Sequence, residues 1–123
     1  MQATGEVLTF FFSDIESSTR RWATSAEEMA VALAAHDEVL RAAVAEGDGR
    51  VLKHTGDGCV AVFGTPSGAV AAAMAAQRRF NGGGIGGDRI GPLAIRIGLH
   101  TGPATQHSRS SPSGNLRDTR VDE

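Results

Sequence analysis

The spacing of apolar and polar residues changes several times along the chain, and each change marks an element. Val7 to Phe12 is an unbroken apolar run rich in phenylalanine, the pattern of a strand buried on both faces. It stops at Ser13 and Asp14, where the small polar turn Glu16-Ser17-Ser18-Thr19 begins. Ser25-Ala26-Glu27-Glu28 has capping-box spacing, and behind it Met29, Leu33, His36, Leu40 and Ala43/Val44 recur at helical intervals. This predicts a long amphipathic helix ending near Glu46. Arg50 to Thr55 and Cys59 to Phe63 then read as the strands of a hairpin. Gly56-Asp57 suits its two-residue loop, because glycine accepts the positive φ of the first position.

Thr65 as N-cap and Pro66 at the first helical position open an alanine-rich helix, expected to pack through Val70, Ala73, Met74 and Phe80. "NGGGIGGDRIGP" reads as a mobile, glycine-rich loop. Leu93, Ile95, Ile97 and Leu99 alternate with Ala94, Arg96, Gly98 and His100, the period of another strand. From His107 onward Leu116 and Val121 are the only sizeable aliphatic residues, and a disordered tail is expected. The order strand, helix, helix, hairpin, helix, strand predicts an α/β (α+β) sandwich, with helices on one face of a largely antiparallel sheet.

Composition narrows what such a fold does. At 123 residues and 41% hydrophobic, the chain has material for one core and one domain. A net charge of -2 and a pI near 6.1 give no general attraction to polyanions, which argues against nucleic acid as a partner. Cys59 stands alone, so an intrachain disulfide and a cysteine zinc cluster are excluded. Both Cys59 and His36, on the apolar stripe of the long helix, read as core residues. The uncharged stretch Gly58 to Gln77 is interrupted by Thr65-Pro66-Ser67-Gly68, so no membrane span is expected, and the reading is of a cytoplasmic protein.

In a sheet of this order the end of a central first strand and the tip of a neighbouring hairpin can lie side by side. That would bring Asp14 and Asp57 together. Two carboxylates without a histidine or thiol partner are hard oxygen ligands, suited to magnesium or manganese. The backbone N–H groups of Ile15 to Thr19 would offer a complementary anion site.

"TFFFSDIESSTRRW", "KHTGDGCVAVF" and "IRIGLHTGPA", in this order and spacing, resemble the class III adenylate/guanylate cyclase catalytic domain of bacterial type. The likeness runs from Val7 to about Ala104. It implies a ferredoxin-like cyclase fold without its last strands: a partial catalytic domain over residues 1–104 and a disordered or non-homologous tail over 105–123. It further implies that Asp14, Asp57 and the Ile15 carbonyl hold two Mg2+ or Mn2+ ions, and that the turn Glu16, Ser17, Ser18, Thr19 holds the phosphates of ATP or GTP. Lys53 would read the purine, and another cyclase chain would complete the site in a homo- or heterodimer.

The reaction implied is attack of the ribose 3′-hydroxyl on the α-phosphate, releasing pyrophosphate and a cyclic nucleotide. The family turn often carries glycine where this chain has Ser17. Its V-N-x-A-A-R element, whose Asn orients the ribose and whose Arg stabilises the transition state, has no match here. Asn115 is followed four places on by Thr119. Little or no turnover is therefore expected of the chain alone, the alternative being a non-catalytic metal-nucleotide binder or a regulatory partner of a complete cyclase. "GGDRI", Gly86 to Ile90, partly resembles the GGDEF signature of diguanylate cyclases; that signature sits at a hairpin between strands, whereas a loop is expected here.

Overall fold

A computed structural model of the chain describes residues 6–106 and 119–121. In chain order the elements are β1 (Glu6–Ile15), α1 (Ser18–Thr24), α2 (Ala26–Glu46), β2 (Arg50–His54), β3 (Cys59–Phe63), α3 (Pro66–Asn81), β4 (Gly86–Gly87), β5 (Gly91–Pro92), β6 (Ile95–Gln106) and β7 (Thr119–Val121). The main sheet runs β2-β3-β1-β6-β7, and all its pairings are antiparallel. Its first four strands, with α2 and α3, form the β-α-β-β-α-β unit of a ferredoxin-like α+β sandwich.

Alternation along β1 sorts its side chains between two environments. Thr9, Phe11, Ser13 and Ile15 lie under the helices, where Phe11 and Ile15 join Met29, Leu40, Val44, Phe63 and Phe80 in the main core. Leu8, Phe10, Phe12 and Asp14 lie on the opposite face. There Phe10 and Val62 anchor a smaller apolar cluster, but Phe12 stays 43% exposed, so the strand is not buried on both faces throughout its length. β1 also continues through Asp14 to Ile15, because β6 pairs with it over its whole length, from Glu6↔Ala104 to Ile15↔Ile95. Asp14 is thus a strand residue and not part of the following turn.

The Ser25 hydroxyl caps α2 by accepting from the Glu28 N–H, and Thr65 caps α3 by accepting from Gly68. α3 turns a different face inward from the one its large residues suggest. Ala69, Ala72, Ala75, Ala76 and Phe80 are buried, whereas Val70 and Met74 are 47% and 52% exposed. Close approach is the reason: a Cβ on Gly47, at the end of α2, would lie 2.1 Å from the Gly68 carbonyl oxygen of α3. Only small side chains fit between helices so near each other.

The glycine-rich segment is held in place. β4 and β5 form a hairpin whose Arg89 and Ile90 N–H groups both donate to the Glu28 carboxylate, at 3.0 and 3.3 Å. The Arg21 guanidinium donates to the Ile90 carbonyl, and Ile90 and Leu93 are buried. A Cβ on Gly87 would lie 2.2 Å from Glu28 Oε1, so a larger residue there would push aside the carboxylate that binds this hairpin. "GGDRI" therefore does sit at a hairpin, and position alone does not separate it from the diguanylate cyclase signature. The expected tail falls mostly outside the described residues, except for Thr119–Val121, which are not a free tail but pair with Ala104–Gln106 of β6.

Candidate metal and nucleotide site

The site is built at the end of β1. Glu16 N–H donates to the Ala94 carbonyl, so even-numbered β1 residues direct their peptide groups toward β6 and odd-numbered ones toward β3. The last β1–β3 pair is Ser13↔Cys59. Carrying that register forward puts Gly58 beside Asp14 and Asp57 beside Ile15. The contact is tight: a Cβ on Gly58 would lie 2.6 Å from the Ser13 carbonyl oxygen. The Ile15 carbonyl consequently faces the hairpin loop at a point beyond the paired ladder.

The β2–β3 hairpin closes as its sequence suggests. Thr55 N–H donates to the Gly58 carbonyl at 3.0 Å around Gly56-Asp57, and Gly56 has φ 76°. Asp57 is half-buried at the tip, and its Oδ2 accepts from the Ser18 hydroxyl at 2.7 Å. Asp14 points to the open face of the sheet. Arg96, its cross-strand partner on β6, donates from Nε to Oδ1 at 2.8 Å and from its terminal nitrogen to Oδ2 at 3.0 Å. This fork-to-fork pair raises the Arg96 pKa further above its usual value, first through its hydrogen bond and then through the Asp14 charge. Beside it lies a shallow cavity of about 290 Å3 lined by Phe12, Ser13, Asp14, Arg96, Ile97 and Gly98.

Lys53 reaches the same face through an irregularity. Val51 pairs with Ala61 and Lys53 with Val60, which leaves Leu52 as an extra, bulged residue. Val60 pairs in turn with Phe12, so the bulge turns Lys53 to the open face carrying Asp14. Strict alternation from Val51 would have pointed it into the core. It lies two strands from β1, about 10 Å across the sheet.

The turn between β1 and α1 takes an unusual backbone path. Ser17 has φ 58° and ψ 36°, left-handed, and makes no side-chain cap. The first helical hydrogen bond runs from Arg21 N–H to the Ser17 carbonyl. The N–H groups of Ser18 and Thr19 precede it, whereas that of Glu16 is committed to Ala94. Of the turn residues expected to hold phosphate, Glu16 thus has its peptide donor taken.

As a donor set, Asp14, Asp57 and the Ile15 carbonyl offer only hard oxygen, the chemistry of a magnesium or manganese ligand shell. Asp57 keeps Oδ1 free of any hydrogen bond among the described residues, and Asp14 is half-exposed and reachable once Arg96 releases it. The donor chemistry suits such ions, though among the described residues no group of three or more His, Cys, Asp or Glu side chains stands together. Arg96 is the site residue that sequence reasoning missed. Its alternation on the β6 strand was visible, but the pairing register that seats it on Asp14 was not.

His36 and Cys59 are core residues. Burial lowers the His36 pKa, while a 2.9 Å hydrogen bond from His36 Nδ1 to the Asp37 carboxylate opposes this. Burial pushes the Cys59 thiol up to about 11, which leaves no reactive thiolate near neutral pH. Among the described residues no helix is long and apolar enough to cross a membrane.

With this geometry in hand, comparison with known proteins places the fold. The profile of the Adenylate and Guanylate cyclase catalytic domain matches residues 1–110, and the chain belongs to that family. It is 37% identical over 101 residues to the uncharacterized protein Rv0891c of Mycobacterium tuberculosis, covering 80% of this chain and 32% of that one. The chain thus spans about a third of the length of this and the other mycobacterial relatives it matches. The solved guanylyl cyclase Cya2 superposes over all of this chain and 66% of its own with a TM-score of 0.78, at 19% identity. The guanylate cyclase domain of RhGC from Catenaria anguillulae, solved in complex with GTP, covers 96% of this chain and 66% of its own with a TM-score of 0.76, at 23% identity.

Proposed function

We propose that this chain carries the metal half-site of a class III cyclase. In this reading it binds magnesium or manganese with a purine nucleoside triphosphate and by itself turns over little. The observation that carries the reading is the sheet register, which brings the Asp57 hairpin beside Asp14 and Ile15 while the Leu52 bulge turns Lys53 to the face of Asp14.

Asp14, Asp57 and the Ile15 carbonyl hold the two ions, and the N–H groups of Ser18 and Thr19 bind phosphate oxygens. The ions supply Lewis-acid stabilisation of the ribose 3′-oxygen and of the phosphate charge. Lys53, exposed on the face that carries Asp14, reads the purine of ATP or GTP, and another cyclase chain completes the site. Residues 105–123 contain no Asn with an Arg four places on. A preorganised cationic group at developing charge is worth on the order of 10² to 10³ in rate, so this sequence favours binding, or completion of a partner's site, over independent catalysis.

Titration calorimetry with manganese and non-hydrolysable ATP and GTP analogues tests the site. Asp14→Ala and Asp57→Ala should each abolish manganese-dependent binding with an unchanged circular dichroism spectrum. Binding that survives in either variant would sink the assignment. Mixing the chain with a cyclase lacking its own metal aspartates should restore cyclic nucleotide formation.

A further inference from the structure

The two candidate metal carboxylates are held in different ways. Both oxygens of Asp14 are engaged by the Arg96 cation, whereas Asp57 is tethered by one neutral hydroxyl, through one oxygen. Resting on the reading of Asp57 as a metal ligand, we infer that Ser18 is a positioning residue: its hydroxyl sets the Asp57 carboxylate for the cation and leaves Oδ1 presented.

Asp57 sits at a hairpin tip directly after Gly56, at φ 76°, so the residue before it gives its backbone little stiffness. The tip is closed by one backbone bond, Thr55 to Gly58. Among the described residues, Ser18 is the one side chain that bonds to the Asp57 carboxylate, across 39 residues of sequence. Ser18 itself is fixed on two sides. It is the first residue of α1, directly after the left-handed Ser17, and its hydroxyl lies 2.7 Å from Asp57 Oδ2.

A hydroxyl is the right group for this task. It adds no positive charge, so it does not oppose an incoming cation as a guanidinium does. It occupies one lone pair of Oδ2 and leaves Oδ1 entirely unbonded. It also fixes the carboxylate before the ligand arrives, which lowers the ordering entropy lost on binding.

The test is manganese binding without nucleotide, read by electron paramagnetic resonance of the free ion, with circular dichroism and thermal melts as folding controls. Ser18→Ala should weaken manganese affinity on the order of tenfold, the scale of one hydrogen bond to a charged group, and Ser18→Thr should restore most of it. In an Asp57→Asn background, Ser18→Ala should change the residual affinity no further.

The outcomes separate the two claims. If Asp57→Asn binds manganese as the parent does, Asp57 is not a ligand and the functional reading fails with it. If Asp57→Asn loses affinity while Ser18→Ala keeps it, the positioning role alone is overturned. A fall in melting temperature for Ser18→Ala at unchanged manganese affinity likewise overturns it, showing the hydroxyl to be a structural tie only.

Discussion

Arg96 on β6 grips both carboxylate oxygens of Asp14 on the neighbouring strand, at 2.8 and 3.0 Å. A cation that needs Asp14 has to displace this guanidinium, so the two compete for one carboxylate. The pair lies largely in solvent, where such bridges are weak and sensitive to salt. Replacing Arg96 by Met is therefore expected to tighten manganese binding about two- to fivefold at low salt, and the gain should shrink as salt rises. Calorimetry at two ionic strengths measures both effects. A loss of affinity in Arg96→Met would show that the guanidinium supports the site instead of competing for it.

The turn before α1 yields a stability prediction. Ser17 holds a left-handed conformation without any side-chain hydrogen bond to compensate. A non-glycine residue there is strained by roughly 1 kcal/mol or more, and glycine, though freer when unfolded, is not. Ser17→Gly should raise stability by about 0.5–1 kcal/mol, seen as a higher urea midpoint at unchanged slope. The left-handed backbone also supplies a physical reason for the glycine that the family turn often carries at this position. A midpoint that falls would mean that Ser17 is not strained.

Much of this architecture was legible because local signals agreed with one another. The Ser25 cap, the Thr65-Pro66 helix start and the Gly56-Asp57 loop each named their element and are in place, although the box at Ser25 is half-formed, because Ser25 N–H donates to Arg21 and the Glu28 carboxylate turns to the glycine-rich hairpin. What stayed hidden depends on distances between elements. The burial of Ala69, Ala72 and Ala76 in place of Val70 and Met74 follows from how closely α3 approaches its neighbours, which no periodicity encodes. The bulge at Leu52 and the seating of Arg96 on Asp14 are products of register. The glycine loop was misread for a related reason. Glu28, some sixty residues earlier, supplies the carboxylate that orders it.

His36 ties stability to pH. It is fully buried against Phe80, and burial, outweighing the opposing Asp37 carboxylate, lowers its pKa below the usual 6.5. His54 from β2 opposes its protonation, and Asp57 weakly favours it. With a lowered folded pKa, the unfolded chain takes up the proton first as the solution is acidified. Stability is therefore whole above about pH 6.5 and falls below it, with a slope of at most about 1.4 kcal/mol per pH unit from this one group. His36→Leu should remove that slope between pH 7 and 5, as followed by chemical denaturation at several pH values. Identical slopes in the two proteins would place the acid sensitivity elsewhere.

The last prediction concerns the outer edge of β6. Its even-numbered residues pair with β1, so Ile97, Leu99 and Thr101 point their N–H and C=O groups outward. β7 covers only Ala104 to Gln106, and the Gln77 side chain takes the Ile95 carbonyl at 3.1 Å. Among the described residues no strand pairs with the stretch between. Beside it Val70, Met74 and Leu99 are exposed, and with Ala73, Gln77 and Ile97 they line an apolar groove of about 280 Å3. Among the described residues this ladder edge has no partner, and with exposed apolar side chains beside it the edge invites pairing with another copy. The 123-residue chain should accordingly associate with rising concentration in sedimentation velocity runs. Leu99→Lys, which sets a charge at the groove without touching Asp14, Asp57 or Ser18, should shift the population toward monomer while leaving manganese binding unchanged. A parent chain that stays monomeric across the whole range would show that this edge is already protected.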